Sequence, residues 1–230
     1  MLDYSKIYDP DFGYDGIISD ETAKVIIPYI EKFSSIIDVG CGTGRISKNF
    51  KNNDITLLDQ HKKYLDIASK KVNPVSVLNG NFLDIEINMT FDNIFMFGFI
   101  HEQENLKQIF TKAKTLMHDE TKLFISFPNP NSLHRIAGEK MKIIKDSSTS
   151  LSKTAIKFGT LKLISNKEIE DEFMNQNLKI INKKGICFKP YQNEIMEQLE
   201  LPIITELNKF TQELPEYSAM NFYIVKKIVT

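Results

Sequence analysis

The chain has 230 residues, 42% hydrophobic and 26% charged, the proportions of an ordinary globular protein long enough to bury a sizeable core. Its formal net charge of −1 argues against a broad nucleic-acid surface; no apolar run reaches the length of a membrane span, and the opening MLDYSKIYDP lacks the pattern of a signal peptide. Two cysteines, Cys41 and Cys187, make neither a disulfide framework nor a metal-ligand spacing, so no metal and a reducing, cytoplasmic setting are expected.

Residues 1–19 are aromatic and acidic, with Tyr4, Tyr8, Phe12 and Tyr14 interrupted by Pro10. Asp20 is placed to cap a helix reaching about Phe33, with Ile26, Ile27 and Ile30 on one face. Ile36-Ile37-Asp38-Val39 then reads as a buried parallel strand that ends on Gly40, Gly42 and Gly44. Alternating glycines admit positive φ and leave no Cβ between the backbone and a ligand. The turn is expected to open a helix at Arg45 whose free N–H groups face that ligand. Ile55–Leu58 is a short second strand that stops at Asp59 and Gln60. Val75–Leu78 is a third, followed by Asn79-Gly80-Asn81-Phe82.

The run from Phe91 to Glu102 contains a fourth strand ending at Phe97-Gly98, with His101 just beyond. Helical spacing of Leu106, Ile109, Phe110, Ala113, Leu116 and Met117 predicts a helix from Asn105 to Met117 with one buried face. Lys122–Phe127 is a fifth strand, ended by Pro128-Asn129-Pro130-Asn131. Residues 145–154 are rich in Ser, Thr and Lys and read as a mobile loop. Ser165-x-x-Glu168 is a capping box. Residues 178–189 and 219–229 alternate as two late strands, with an amphipathic stretch between them.

The glycine spacing separates two cofactor classes. A dinucleotide fingerprint, G-x-G-x-x-G, would set its last glycine one place later. The D-x-G-x-G-x-G form resembles motif I of class I S-adenosylmethionine-dependent methyltransferases, and the next three strand ends resemble that family's later motifs in order and spacing. The resemblance implies a Rossmann-like α/β fold: a mostly parallel seven-stranded sheet, its last strand antiparallel, with helices on both faces. It implies residues 1–34 as an N-terminal lid segment and helix, and 35–230 as the methyltransferase domain with an acceptor-side insertion at about 129–165. A peripheral loop remains the alternative for the N-terminal segment.

For S-adenosylmethionine, the resemblance places Asp38 near the methionyl ammonium, with Gly40, Gly42 and Gly44 under the ribose and sulfonium. Asp59, with Gln60 beside it, meets the ribose hydroxyls. Asn81 and the Phe82 N–H meet the adenine, and Phe97-Gly98 pass close to the methionyl group.

The segment Pro128-Asn129-x-x-Ser132-Leu133-His134-Arg135-x-x-Gly138 resembles a subgroup encoded near sugar and polysaccharide pathways. Ligands of open parallel sheets lie beyond the strands' carboxyl ends, where His101 and His134 fall. A hydroxyl acceptor gains from a base, so these two are the candidate catalytic residues. Arg135 and Asn129 are the candidate acceptor-binding residues. The chain has only two arginines, Arg45 and Arg135, in a lysine-rich composition, which suggests that each needs a planar two-point donor. No D/N-P-P-Y/F turn follows the fourth strand, so a nucleic-acid base acceptor is disfavoured. The expectation is O-methylation of a small, anionic or sugar-linked molecule, with no nucleic-acid or membrane partner and the oligomeric state open. The alternatives are methylation of a small amine and a catalytically silent cofactor-binding subunit.

Overall fold

The computed structural model describes residues 13–157 and 159–228. The aromatic positions Tyr4, Tyr8 and Phe12 therefore lie outside the described residues. Seven strands form one sheet: β1 (Ser35–Val39), β2 (Asp54–Asp59), β3 (Ser76–Asn79), β4 (Phe91–Phe97), β5 (Met117–Pro128), β6 (Leu178–Ile186) and β7 (Met220–Lys227). Their order is β3-β2-β1-β4-β5-β7-β6. Strands β1 to β5 pair in parallel, and β7 pairs antiparallel with both β5 and β6. Only β7 is therefore reversed. The free edge β6 carries Lys179, Lys183 and Lys184, charges that discourage a further strand from adding there.

Eight helices accompany the sheet among the described residues: α1 (Gly13–Ile26), α2 (Lys62–Val72), α3 (Leu106–Thr115), α4 (Leu133–Lys140), α5 (Lys153–Lys157), α6 (Asn166–Asn175), α7 (Asn193–Met196) and α8 (Leu201–Glu213). Side chains alternate across a strand, so neighbouring residues enter different layers. Ile37, Ile94, Met96, Leu123 and Tyr223 pack with Ile109 and Phe110 of α3 and Phe173 of α6. Ile36, Phe95, Phe124 and Phe222 face the other way, towards Tyr14 and Ile26 of α1, Leu65 and Ala68 of α2 and Ile204 of α8. Both faces are covered, which is why the central strands are apolar throughout.

Three local expectations are corrected. First, α1 starts at Gly13, seven residues before Asp20, and ends at Ile26 because Pro28, which has no N–H, sits in a 3-10 turn at Ile27–Tyr29. Asp20 is therefore inside α1 and cannot be its cap. Second, no α-helix follows the glycine turn; the chain makes only a 3-10 turn at Ser47–Asn49. Asn49 turns its amide back onto the carbonyls of Arg45 and Ile46, at 3.3 and 2.9 Å, in competition with a helical ladder. Third, α3 stops at Thr115, because the Leu116 carbonyl accepts from the Phe91 N–H at 3.0 Å and Met117 begins β5.

The predicted cap of α6 is present: Ser165 Oγ accepts from the Glu168 N–H at 3.1 Å. Glu168 itself turns to Lys162 at 3.2 Å, so the box is half closed. The segment 129–165 holds α4, α5 and the intervening turns. No helix among the described residues is long and apolar enough to cross a membrane.

Candidate active site

The carboxyl ends of β1, β2, β3, β4 and β5 open onto one cavity of about 1120 Å3. Residues of α1, α4 and the connection after β6 complete its wall. It is slightly larger than a typical small-molecule site, with room for two ligands side by side.

The glycine turn lines the β1 end. Gly42 has a φ of 52°, and a Cβ built there would meet nothing within 4 Å, so bare backbone faces the cavity. Its N–H donates to Asp59 Oδ2 at 3.0 Å. Gly44 has a different task. A Cβ there would lie 2.8 Å from Val72 Cγ2 and 3.0 Å from Ala68 Cβ, so this glycine lets the turn pack on α2. Gly44 is set back from the cavity wall that Gly40 and Gly42 line.

Asp38 lies under this turn, 4% exposed, and accepts from the Ser47 hydroxyl at 2.6 Å. Burial pushes its carboxyl up to about 7, against the Ser47 bond and aided by the Asp59 charge. A cation entering here would restore the carboxylate. Asp59 also receives the His61 N–H at 2.8 Å on Oδ1, with His61 Nδ1 at 3.2 Å. Three of its roughly four acceptor positions are thus used inside the protein. Two-point ribose binding therefore requires the His61 ring to yield one position.

Gln60 is exposed at the rim, and Asn81 is likewise exposed, its Oδ1 accepting from the Leu83 N–H at 2.9 Å. Phe82 is buried, with its ring edge-on to Phe99 at 6.0 Å. Phe97 and Gly98 line the middle of the cavity, where the Gly98 N–H donates to the Ser126 carbonyl at 3.0 Å. Buried polar atoms without a partner among the described residues also line this region: Thr43 Oγ1 and His101 Nδ1. Open backbone, a buried carboxyl poised for a cation and orphaned polar atoms fit a cationic nucleoside such as S-adenosylmethionine.

His101 and His134 both line the cavity, each with Nδ1 unpartnered among the described residues. Burial lowers His101 to about 4, so its imidazole is neutral near pH 7. Burial, then the charges of Lys189 and Arg135, hold His134 well below the ordinary range.

The two expected acceptor-binding residues stand differently. Arg135 lines the cavity, but its Nε donates to the Ser147 carbonyl at 2.7 Å and a terminal nitrogen to the Ser150 carbonyl. The guanidinium thereby pins the 147–150 loop. Asn129 is outside the cavity: its amide nitrogen donates to the Glu216 and Ser218 carbonyls, both at 2.8 Å, and its Oδ1 accepts from the Asn131 N–H at 3.0 Å. Its polar groups hold the corner between the end of β5 and the 216–218 turn. Arg45 meets Asp20 with two donors, Nε at 3.1 Å and a terminal nitrogen at 2.7 Å, joining α1 to the glycine turn.

Sequence reasoning missed Glu102 and Lys189. Glu102 sits at the mouth, where partial desolvation and the Asp59 charge push it up to about 7. Its signal was its place directly after His101. Lys189 enters from the connection after β6, and its signal was a lysine embedded in the Cys187-Phe188-Lys189-Pro190 run. No group of three or more metal-ligating side chains gathers among the described residues.

Comparison with known proteins agrees with this geometry. A family model described as a methyltransferase domain matches residues 30–209. A curated relative, "Probable (S)-tetrahydroprotoberberine N-methyltransferase 2" of Papaver bracteatum, is 24% identical over 105 residues, 42% of this chain and 29% of that protein. The chain thus aligns with less than a third of that relative's length. An S-adenosylmethionine-dependent methyltransferase from Clostridium acetobutylicum ATCC 824 superposes with a TM-score of 0.60 at 14% identity, covering 97% of this chain and 96% of that one. A Thermotoga maritima protein described as a "possible histamine N-methyltransferase" gives a TM-score of 0.62 at 15% identity over 92% of each chain. At these identities the two structures establish the shared fold. The chain belongs to the methyltransferase-domain family.

Proposed function

We propose that this enzyme methylates an oxygen of a small acceptor, of the anionic or sugar-linked class, held between His101 and His134. When bound, the cofactor supplies a methyl group already activated on sulfonium. The chain contributes position and dryness, which dominate in-line displacement. In this reading Asp38 and the backbone around Gly40 and Gly42 hold the cofactor's methionyl end. Asp59, Gln60, Asn81 and Phe82 hold its nucleoside, and Phe97 and Gly98 pass beside the reacting centre. Among the described residues, 13–34 then form the N-terminal lid and helix ahead of a domain that begins at residue 35.

The observation that carries oxygen transfer is the pair of buried neutral imidazoles with Nδ1 unpartnered. An unprotonated ring nitrogen can take the hydroxyl proton as the new bond forms, whereas an amine needs only its own lone pair. Glu102, raised to about 7, is a third proton acceptor at the mouth. The names of the Papaver and Thermotoga relatives favour a second reading, transfer to nitrogen.

One experiment separates the two: formation of the demethylated cofactor is followed with matched panels of hydroxy acids and amines. Wild type, His101→Ala and His134→Ala are compared, with cofactor affinity checked separately. Oxygen transfer is expected to favour the hydroxy acids and to lose at least a hundredfold in kcat in one of the variants. Turnover of amines alone, with both variants fully active, refutes it.

A further inference from the structure

The acceptor half of the cavity contains a buried cation that the described residues leave short of partners. Lys189 is 8% exposed and lines the cavity. Its ammonium lies over the Tyr14 ring, 5.5 Å from the centroid, and donates to Asn193 Oδ1. An ammonium has three N–H donors, and among the described residues this is its one hydrogen bond. No carboxylate forms an ion pair with it there.

Three carboxylates, Asp15, Glu194 and Glu197, lie near enough to act on its charge, yet none pairs with it among the described residues. Asp15 accepts from Asn193 Nδ2 at 3.2 Å, and Glu197 from the Tyr14 N–H at 3.1 Å. Burial, only partly offset by Asp15 and Glu194, pushes Lys189 down to about 8, as expected for a charge its surroundings do not neutralise. Arg135 gives two of its five N–H donors to the Ser147 and Ser150 carbonyls, which hold its guanidinium against the 147–150 loop.

Topology identifies the half of the cavity concerned. The motifs assigned to the cofactor lie after β1, β2, β3 and β4, whereas His134 follows β5 and Lys189 follows β6, beyond β7 in the sheet. Lys189 therefore sits on the acceptor side, near enough for its charge to depress His134.

We propose that Lys189 is the binding point for an anionic group of the acceptor, a carboxylate or a phosphate, which it holds beside His134. This assignment deepens the proposed function and rests on it for the word acceptor. A buried ammonium with two N–H groups to give gains most from an anion, because charge-assisted hydrogen bonds are roughly twice as strong as neutral ones. The anion would also offset the Lys189 share of the suppression of His134, which burial leads, making that imidazole a somewhat stronger base when acceptor is present.

Calorimetric titration of the full chain tests the assignment, with and without the demethylated cofactor. The probes are benzoate, its neutral counterpart benzamide, and inorganic phosphate. Wild type is expected to bind benzoate or phosphate at least tenfold more tightly than benzamide, and the better anion names the group. Lys189→Met should lose at least tenfold in affinity for that anion, while its affinity for the demethylated cofactor stays within twofold. Lys189→Arg should keep the anion.

Equal binding of benzamide and benzoate, no anion binding by wild type, or full anion affinity in Lys189→Met each overturns the proposal. The wild-type comparison stands even if the methionine variant does not fold. Failure to bind the demethylated cofactor would count against the methyltransferase reading instead.

Discussion

Acidification should loosen the cofactor through Asp38. Its carboxyl is displaced from an ordinary 3.8 to about 7, mainly by burial. That displacement of about three units corresponds to roughly 4 kcal/mol held against the charged form in the free protein. A cofactor ammonium at this position needs the carboxylate. Below pH 7 the apparent affinity should therefore fall towards tenfold per pH unit, or about 30-fold between pH 8 and 5.5.

Titration of the demethylated cofactor by calorimetry at several pH values reads this directly. Asp38→Asn should bind more weakly at pH 8 and show no such slope. Glu102→Gln is the control, because Glu102 is also raised to about 7. It should keep the slope.

The effect on stability has the opposite sign. The native state keeps the Asp38 proton between about pH 4 and 7 while the unfolded chain loses it, so this residue's contribution to stability declines as pH rises through that window. Ligand-free Asp38→Asn should accordingly melt at a higher temperature than wild type at pH 8. An affinity independent of pH, or an equal slope in Asp38→Asn, refutes the assignment of Asp38 to the ammonium.

Two further substitutions separate binding from architecture. Asp59→Ala removes the acceptor of the Gly42 and His61 N–H groups and should weaken the cofactor at least tenfold in calorimetry, since such charged hydrogen bonds contribute about 1.5–3 kcal/mol; unchanged affinity would remove Asp59 from the site. Asn129→Ala strips a donor from the buried Ser218 carbonyl and another from the Glu216 carbonyl, and should lower unfolding stability by about 2 kcal/mol in a denaturant titration while leaving the acceptor KM unchanged. A raised KM with unaltered stability would return Asn129 to the acceptor site.

The legible parts of this protein are those whose information is local. An apolar, β-branched run ending in alternating glycines specifies a buried strand and a turn of bare backbone. Acids and small residues at three further strand ends repeat that message, so the cofactor half could be read in order along the chain. The Ser165 cap was legible for the same reason: its donor and acceptor are three residues apart. Boundaries were less certain because distant groups compete for the same backbone, as when Phe91 takes the Leu116 carbonyl from the end of α3.

Sequence by itself determined the sheet-and-helix class, the strand ends that gather on one cavity, and the chemistry of its glycine turn. Tertiary structure alone decided which polar side chains remain available. Asn129 gives both amide donors to Glu216 and Ser218, and Arg135 two of its five to Ser147 and Ser150, whereas Lys189 makes one hydrogen bond among the described residues. The physical reason is that spacing along the chain specifies backbone conformation and face. A hydrogen-bonding group's partners depend on which segments folding brings within about 3 Å, and those partners lie tens of residues away.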